Sequence, residues 1–250
     1  MLISIVISLS MVGRAQTFEV ATVKKVEAAP ALGATGCRGV DIGPSSVPQG
    51  RCRFVWSTLT TLIMAAYGVR AHELDGVTGW MDSDRWAIEG VAADTATVKQ
   101  SELLAMLKGK IEESFKLKFH RETRTVQGYV LTVTDEKKLA LMTENDDPKV
   151  IRFRISNNAA LGGPLTRVTS FAGPLSALPR FLSNYFGAPV TDATAVAGNH
   201  KVNLDWGRDI SDVTEGQSAL LALLSENGLK FKTEKVTVEV MVIDSAQKPQ

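Results

Sequence analysis

The chain has 250 residues, of which 44% are hydrophobic and 22% are charged, and its 28 basic and 27 acidic residues leave a net charge of +1. This composition is that of a globular protein with one large or two small hydrophobic cores. The balanced charge lacks the clustered positive field that nucleic acid or an anionic membrane surface attracts, so neither is expected as a partner.

The N-terminal segment begins with a continuous apolar run, LISIVISLSMV at residues 2–12. The run is shorter than the roughly 20 residues that a membrane-spanning helix needs. It is typical of the centre of a secretory signal, with Gly13 and Ala15 at a cleavage point, although no Lys or Arg precedes it. We therefore predict a signal-like segment at residues 1–16, export to the periplasm or the outside of the cell, and no stable membrane span in the mature chain. A buried N-terminal strand is the alternative.

The two cysteines of the chain, Cys37 and Cys52, lie 15 positions apart in a loop rich in Gly, Pro and Ser. In an exported chain the oxidising surroundings would join them, which predicts a disulfide that closes this loop. Free thiols are the alternative. A zinc site is not expected, because neither cysteine has a neighbouring His.

Two stretches, residues 57–69 and 176–188, repeat one apolar pattern 119 positions apart. The spacing i, i+3, i+4, i+7 and i+8 predicts a helix with one apolar face. A Gly then ends each helix, because Gly adopts the left-handed conformation without strain. The matching residues are Leu59, Leu62, Ile63, Ala66 and Tyr67 before Gly68, and Leu178, Phe181, Leu182, Tyr185 and Phe186 before Gly187.

The segments that follow these helices also correspond between the two halves. Each half contains a predicted strand, then a capping box that opens a second helix, then two strands predicted to pair as an antiparallel hairpin. In the first half these are residues 85–92, Thr97 with Gln100, 115–122 and 128–135. In the second half they are residues 200–206, Thr214 with Gln217, 229–235 and 236–244.

This correspondence predicts an α+β fold made of two tandem copies of a strand-helix-strand-helix-strand-strand unit. The first copy, residues 17–135, includes an N-terminal strand and the cysteine loop. Residues 136–165 are predicted to be a linker or crossing, because they are charged at first and contain Pro and Gly. The second copy covers residues 166–245, and residues 246–250 form a tail.

Three side chains are candidates for catalysis, and each has a structural interpretation that we favour. His120 and Glu122 share one face of a strand, which could orient the imidazole for proton transfer, but a solvated face with cross-strand charge pairing is the favoured interpretation. Asp82 and Asp84 lie between two tryptophans, as carboxylates do where sugars bind and are hydrolysed. Asp in such a loop more often caps a turn, and Trp more often fills the core.

The sequence offers no pattern for a cofactor or a metal ion. The three histidines are scattered, and no HExxH, paired CxxC, GxSxG or phosphate-binding Gly-rich motif is present. We therefore expect neither a bound cofactor nor a metal site.

The chain resembles the uncharacterised soil-associated protein family, an exported group of soil bacteria. The residues that carry this resemblance are FEVATVKK at 18–25, TLTTLIMAAYGV at 58–69, GWMDSDRWAIEGVA at 79–92, FKLKFHRETRTVQGYVLTV at 115–133 and VEVMVIDSAQKP at 238–249. The resemblance implies an exported protein without a known catalytic activity.

Each half also resembles the short N-terminal domain of secretins and TonB-dependent receptors. In the second half the likeness rests on Pro174-Leu175 at the first helix, Gly198 before a strand and Gly228-Leu229 at the end of the second helix. The first half departs from it through an insertion at residues 72–85. The resemblance implies contacts with other proteins through sheet edges and helix faces, and no chemistry.

Together these patterns predict a non-enzymatic, exported module for protein binding, envelope assembly or signalling, with an unknown envelope protein as partner. Edge-strand pairing or helix docking would provide the contact. The alternative function is a hydrolase of envelope or soil polysaccharide that uses Asp82 and Asp84.

Overall fold

The computed structural model describes residues 17–28, 35–141, 152–157, 166–204 and 213–249, with only the backbone of residues 152–157, 166–169 and 213. The chain forms two compact units. The first, unit 1, consists of Met1–Arg121 and Met241–Gln250, and the second, unit 2, consists of Glu122–Val240.

In its described residues, the first half of the chain forms six strands and three α-helices. Four of the strands form an antiparallel sheet in the order β1-β5-β3-β2. The elements are β1 (Val20–Lys25), β2 (Gly36–Arg38), β3 (Arg51–Ser57), α1 (Leu59–Tyr67), β4 (Leu74–Asp75), α2 (Gly79–Ser83), β5 (Trp86–Val91), α3 (Gln100–Phe115) and β6 (Lys118–Val133).

In its described residues, the second half forms six strands and two helices. Four strands again form one antiparallel sheet, in the order β7-β11-β9-β8. The elements are β7 (Ala140–Leu141), β8 (Arg152–Asn157), β9 (Thr166–Pro174), α4 (Leu178–Phe186), β10 (Val190–Asp192), β11 (Asn199–Asn203), α5 (Val213–Glu226) and β12 (Leu229–Ser245).

A third sheet has the strand order β10-β6-β12-β4, and its two short strands are exchanged between the halves. Strand β4 pairs in parallel with β12, and β10 pairs in parallel with β6. Accordingly, Met241 and Ile243 of β12 belong to the core of unit 1, whereas Leu131 at the end of β6 belongs to the core of unit 2. Each core therefore uses the end of a long strand from the other half of the sequence.

The predicted α+β class is confirmed, and both halves run through their elements in the same order. Adding six to each strand number of the first half gives the strand in the same sheet position of the second half. Helices α1 and α4 correspond in this order, as do α3 and α5, while α2 is an addition to the first half. The origin of the two halves by duplication stays a prediction.

Helices α1 and α4 end where the sequence predicts. Gly68 and Gly187 follow them in the left-handed conformation, with φ of 70° and 62°. At the start of α1 the hydroxyl of Thr58 accepts a hydrogen bond from the backbone N–H of Thr61 at 3.0 Å. The cap and the glycine together fix the limits of α1 from local sequence.

The predicted hairpin at the end of each half is wrong, because β6 and β12 are continuous strands of 16 and 17 residues. The segment between the two predicted strands of the first half, TRTVQ, contains no Pro or Gly and continues the extended backbone. Gly128 makes no turn: it is buried, and a Cβ atom there would lie 2.4 Å from Cγ2 of Val236. This glycine is required for close packing.

The two predicted capping boxes are also wrong. The Thr97 hydroxyl donates to Asp94 at 2.6 Å, and α3 begins at Gln100 after Lys99, whose N–H donates to Glu102 at 2.8 Å. Thr214 lies inside α5, where its carbonyl accepts from Ser218. The Asp94 carboxylate also accepts hydrogen bonds from the backbone N–H groups of Ala96 and Thr97. Thr97 therefore belongs to an Asp-capped turn in front of α3 and does not cap the helix.

Residues 136–165, predicted as a linker or crossing, contribute β7 and six residues of β8 to the sheet of the second half. Ala140 and Leu141 pair with β11, and β8 pairs with β9 along its whole length. This backbone pairing makes both segments part of the sheet. Strands β7 and β8 are the two edges of this sheet.

Candidate functional site

The two candidate aspartates have separate environments. Asp82 is exposed on α2. Asp84 follows α2 and its side chain is only 18% exposed, with Lys248 Nζ at 2.8 Å and Lys25 Nζ at 3.6 Å. The hydrogen bond from Lys248 and the positive charge of both lysines hold the pKa of Asp84 below its usual value. Asp84 is therefore ionised near neutral pH and has no proton to donate as a general acid.

The ion pair between Asp84 and Lys248 also attaches the C-terminal tail to unit 1. Lys248 lies 5.6 Å above the ring of Trp80, and the N–H of Gln247 donates to the carbonyl of Phe115 at 2.6 Å. These contacts join the last residues of the chain to α2 and α3. Residues 246–248 of the tail are thus attached to unit 1 by specific contacts.

We predict that the Lys248–Asp84 pair makes the stability of unit 1 depend on pH. The lowered pKa means that the pair stabilises the folded protein above the pKa of the unfolded carboxyl, about 3.9, and loses this effect as the pH falls through the lower folded value. Wild type should therefore unfold at higher urea concentration than Lys248→Gln at neutral pH, and the difference should vanish in strong acid. The exposed Lys24→Gln serves as control, and a difference that does not change with pH would contradict the assignment.

His120 forms a cross-strand pair. Its Nδ1 lies 2.8 Å from Oδ1 of Asp244, and both side chains are about half exposed. Glu122 instead pairs with Arg124 on the same strand. This arrangement agrees with the favoured interpretation, cross-strand charge pairing on a solvated face.

Two cavities open beside α3, with volumes of about 340 and 230 Å³. Thr17 and Met106 line both, and Ala105 and Gly109 widen the larger one. Asp82, Asp84 and His120 line neither cavity. In the described part of the chain, no three His, Cys, Asp or Glu residues lie together as metal ligands would.

The structure contains the predicted Cys37–Cys52 disulfide, and both cysteines are buried. The loop that it closes is also attached to α3: Oδ1 of Asp41 accepts a hydrogen bond from the N–H of Gln100 at 2.9 Å, and Nε2 of Gln100 donates to the carbonyl of Cys37 at 3.1 Å. The bond from Gln100 lowers the pKa of Asp41. Asp41 thereby caps the start of α3 from a distant loop.

A cluster of five aromatic side chains lies partly exposed on unit 2, and we call it the aromatic surface. Its members come from one helix and two strands: Tyr129 on β6, Phe181, Tyr185 and Phe186 on α4, and Phe231 on β12. All but Tyr129 pack against the core of that unit, and Tyr129 contacts Phe186 and Phe231. Partly exposed aromatic rings in contact with one another are typical of protein-binding surfaces.

The rings form a continuous series. Tyr129 and Phe231 stack with centroids 4.5 Å apart, and Phe186 lies 4.9 Å from Phe231. Tyr185 lies 5.7 Å from Phe186 and 6.2 Å from Phe181. Burial raises the pKa of Tyr185, so this ring is neutral at physiological pH. The series therefore presents uncharged aromatic area in a fixed arrangement.

Helix α4 is held in place by the buried residues of the same apolar face and by hydrogen bonds at its C-terminal end. Leu178 and Leu182 are fully buried, and the buried Ser183 hydroxyl donates to the carbonyl of Ala188 at 2.8 Å and accepts from the N–H of Val190 at 3.1 Å. These bonds tie the end of the helix to the start of β10. The aromatic side chains thus stand on a rigid support, which reduces the entropy lost on binding.

The corresponding face of α1 is covered more completely. Leu62, Ile63 and Ala66 are buried there, and α2 packs against α1. Residues 187–198, which follow α4, contain no helix. Helices α2, from the insertion at residues 72–85, and α3 both pack against α1, and the matching positions of α4 in unit 2 stay partly exposed.

The comparisons with known proteins identify a family. The family described as protein of unknown function DUF3738 matches residues 60–246. This chain belongs to that family. No curated protein and no solved structure matches it significantly.

The DUF3738 match includes every residue of the aromatic surface and leaves out the cysteine loop. In the described residues of this DUF3738 protein, every helix is too short or too polar to cross a membrane.

The sequence predicts that Phe181, Tyr185 and Phe186 lie on the apolar face of α4, and the structure packs them against the core of unit 2 with part of each side chain exposed. A sequence signal for this exposure is the insertion at residues 72–85, which supplies α2 in the first half and has no counterpart in the described residues of the second half.

Proposed function

We propose that this protein is an exported, non-enzymatic module that binds another protein of the cell envelope through the aromatic surface. The observation that carries the proposal is the series of five touching aromatic rings left partly exposed on a rigid helix and two strands. Tyr and Phe at such positions supply large contact area at small entropic cost.

Two further observations support parts of the proposal. The Cys37–Cys52 disulfide supports export, since such bonds persist in oxidising compartments. The engagement of Asp84 by two lysines, and of His120 by Asp244, supports structural roles for the catalytic candidates.

The test uses residues 17–250, carrying a photo-activated cross-linker, in envelope extract. We expect Phe181→Gln and Tyr185→Gln each to weaken binding by about 2 kcal/mol, roughly thirtyfold in Kd, because they remove aromatic contact area and keep good helix formers. A partner protein that is cross-linked to the wild-type chain should therefore not be cross-linked to either variant.

Two controls make the result specific. Leu221→Gln changes a side chain that is 38% exposed on α5, and Asp82→Asn removes an exposed carboxylate of the hydrolase hypothesis. Both should retain the cross-linked partner. Equal recovery of every cross-linked protein by wild type and the two aromatic variants would overturn the proposal, and loss with Asp82→Asn would favour a role for α2.

A further inference from the structure

The two cavities beside α3 form one groove between this helix and the start of β1. Thr17 and Met106 line both cavities, so the cavities adjoin. From the smaller cavity to the larger one, the lining advances along α3 from Glu102 to Glu113. In the same direction it advances along the N-terminal segment from Thr17 to Ala21 of β1. The groove therefore runs alongside both elements, and we call it the α3 groove.

The free edge of β1 borders this groove. Strand β1 is an edge of the sheet β1-β5-β3-β2 and pairs only with β5 among the described residues. Alternate N–H and C=O groups of β1 point away from β5, and in the described part of the chain these groups have no backbone partner. Helix α3 packs against β2 and β3, at the other end of the sheet, which leaves space beside β1. Such an edge can pair with an extended backbone.

Gly109 keeps the larger cavity open in the middle of α3. It is exposed, and among the described residues a Cβ atom there would contact no neighbouring group within 4 Å. Packing therefore does not require glycine at this position, and glycine in the interior of a helix costs stability relative to other residues. A side chain at residue 109 would instead enter the larger cavity, which Gly109 lines.

The charged side chains of the α3 groove are mainly acidic. Of the described residues, three acidic groups and one lysine line the two cavities: Asp94 and Glu102 at the smaller one, and Glu113 and Lys110 at the larger one. Lys110 pairs with Glu113 at 3.0 Å. The hydrogen bond from the Thr97 hydroxyl lowers the pKa of Asp94, so this carboxylate is ionised at neutral pH. The smaller cavity thus offers negative charge, which attracts a cationic group of a partner.

We propose that the α3 groove binds an extended peptide segment of another protein, which pairs with the free edge of β1. The segment places a large apolar side chain in the larger cavity and a Lys or Arg in the smaller one. Gly109 and Glu102 lie about 10 Å apart along α3, which corresponds to about three residues of extended chain. The two side chains of the peptide should therefore lie two or four positions apart, because alternate side chains point to the same side. This site belongs to unit 1 and does not depend on the function proposed for the aromatic surface.

The test selects random peptides displayed on phage with immobilised residues 17–250, which include every described residue. Selected peptides are synthesised, and their Kd is measured by fluorescence anisotropy. We expect an aromatic or aliphatic residue two or four positions from a Lys or Arg. Methylation of alternate backbone nitrogens of such a peptide should weaken binding about tenfold or more, because it removes hydrogen bonds to β1.

Two variants test the groove itself. Gly109→Leu should fill the larger cavity and weaken peptide binding about tenfold or more, yet unfold at no lower urea concentration than wild type, because Leu is the better helix former. Ser101→Leu, at an exposed position of α3 outside both cavities, is the matched control. Glu102→Gln can keep the hydrogen bond from the Lys99 N–H and should weaken binding about threefold or more, whereas the exposed Glu226→Gln on α5 should have no effect.

The possible failures are distinguishable. Peptides that bind Gly109→Leu as tightly as wild type, or that tolerate methylation of every backbone nitrogen, would overturn this inference. Peptides that all depend on Phe181 and ignore Gly109→Leu would also overturn it, while they support the proposed function. Lauric acid serves as the probe for a lipid chain, and if Gly109→Leu abolishes binding of lauric acid but of no peptide, the peptide assignment is wrong.

Discussion

A chain that ends after Val240 should lose the folded structure of unit 1. The deletion removes Met241, which is fully buried in the core of that unit, and Ile243, which is 6% exposed. It also removes the parallel pairing of Met241 and Val242 with β4. Full burial of each such side chain contributes about 1.5–3 kcal/mol. Together with the lost strand pairing, this loss approaches the 5–15 kcal/mol that stabilises a typical domain.

Tryptophan fluorescence and near-ultraviolet circular dichroism can measure this loss, because Trp80 and Trp86 pack against Phe115 in unit 1. A chain that ends after Ser245 keeps both buried side chains and should unfold cooperatively. Met241→Ala in the full chain should lower the free energy of unfolding by about 2–5 kcal/mol. Native fluorescence and cooperative unfolding of the chain that ends after Val240 would contradict the assignment of β12 to this core.

The second large effect is expected at the Cys37–Cys52 disulfide. Replacing both cysteines by Ala should lower the free energy of unfolding by about 3 kcal/mol, because the open loop of the unfolded chain gains conformational freedom. The loop between them contains Val47, which is fully buried, and Asp41, which caps α3. Greater mobility of this loop should therefore also destabilise the first turn of α3, because Asp41 caps it.

Urea unfolding with and without reductant measures this contribution. Reductant should shift the wild-type midpoint to lower urea and leave the double Ala variant unchanged, since that variant has no bond to break. Equal midpoints for oxidised wild type and the variant would show that the disulfide does not stabilise the fold. Loss of protection from hydrogen exchange at the start of α3 should accompany the shift.

Several parts of the fold follow from local sequence. The limits of α1 and α4 could be predicted because an apolar stripe and a terminal Gly are properties of adjacent residues. The disulfide could be predicted because the two cysteines share one loop. These features depend on interactions within about 20 positions of the chain, which a sequence displays directly.

The predictions of hairpins and capping boxes were wrong because they considered only local sequence. A capping signal such as Thr97-x-x-Gln100 competes with any nearby group that offers a better hydrogen bond, and Asp94 offers one. Strand β6 continues through residues 123–127, which contain no Pro or Gly, and β6 lies next to β12 in the third sheet. The spacing of residues in the sequence predicts neither the competing hydrogen bond to Asp94 nor the strand that pairs with β6.

The amino-acid sequence by itself determined the α+β class, the repeated order of apolar helices and strands, and the disulfide loop, because each depends on local periodicity and on residues close in the chain. Only the tertiary structure decided that the end of β12 completes the core of unit 1, and that Phe181 and Tyr185 are partly exposed while the matching residues of α1 are buried. The physical reason is that hydrophobic spacing shows which face of a helix is apolar, whereas the packing of other elements sets how much of that face is covered.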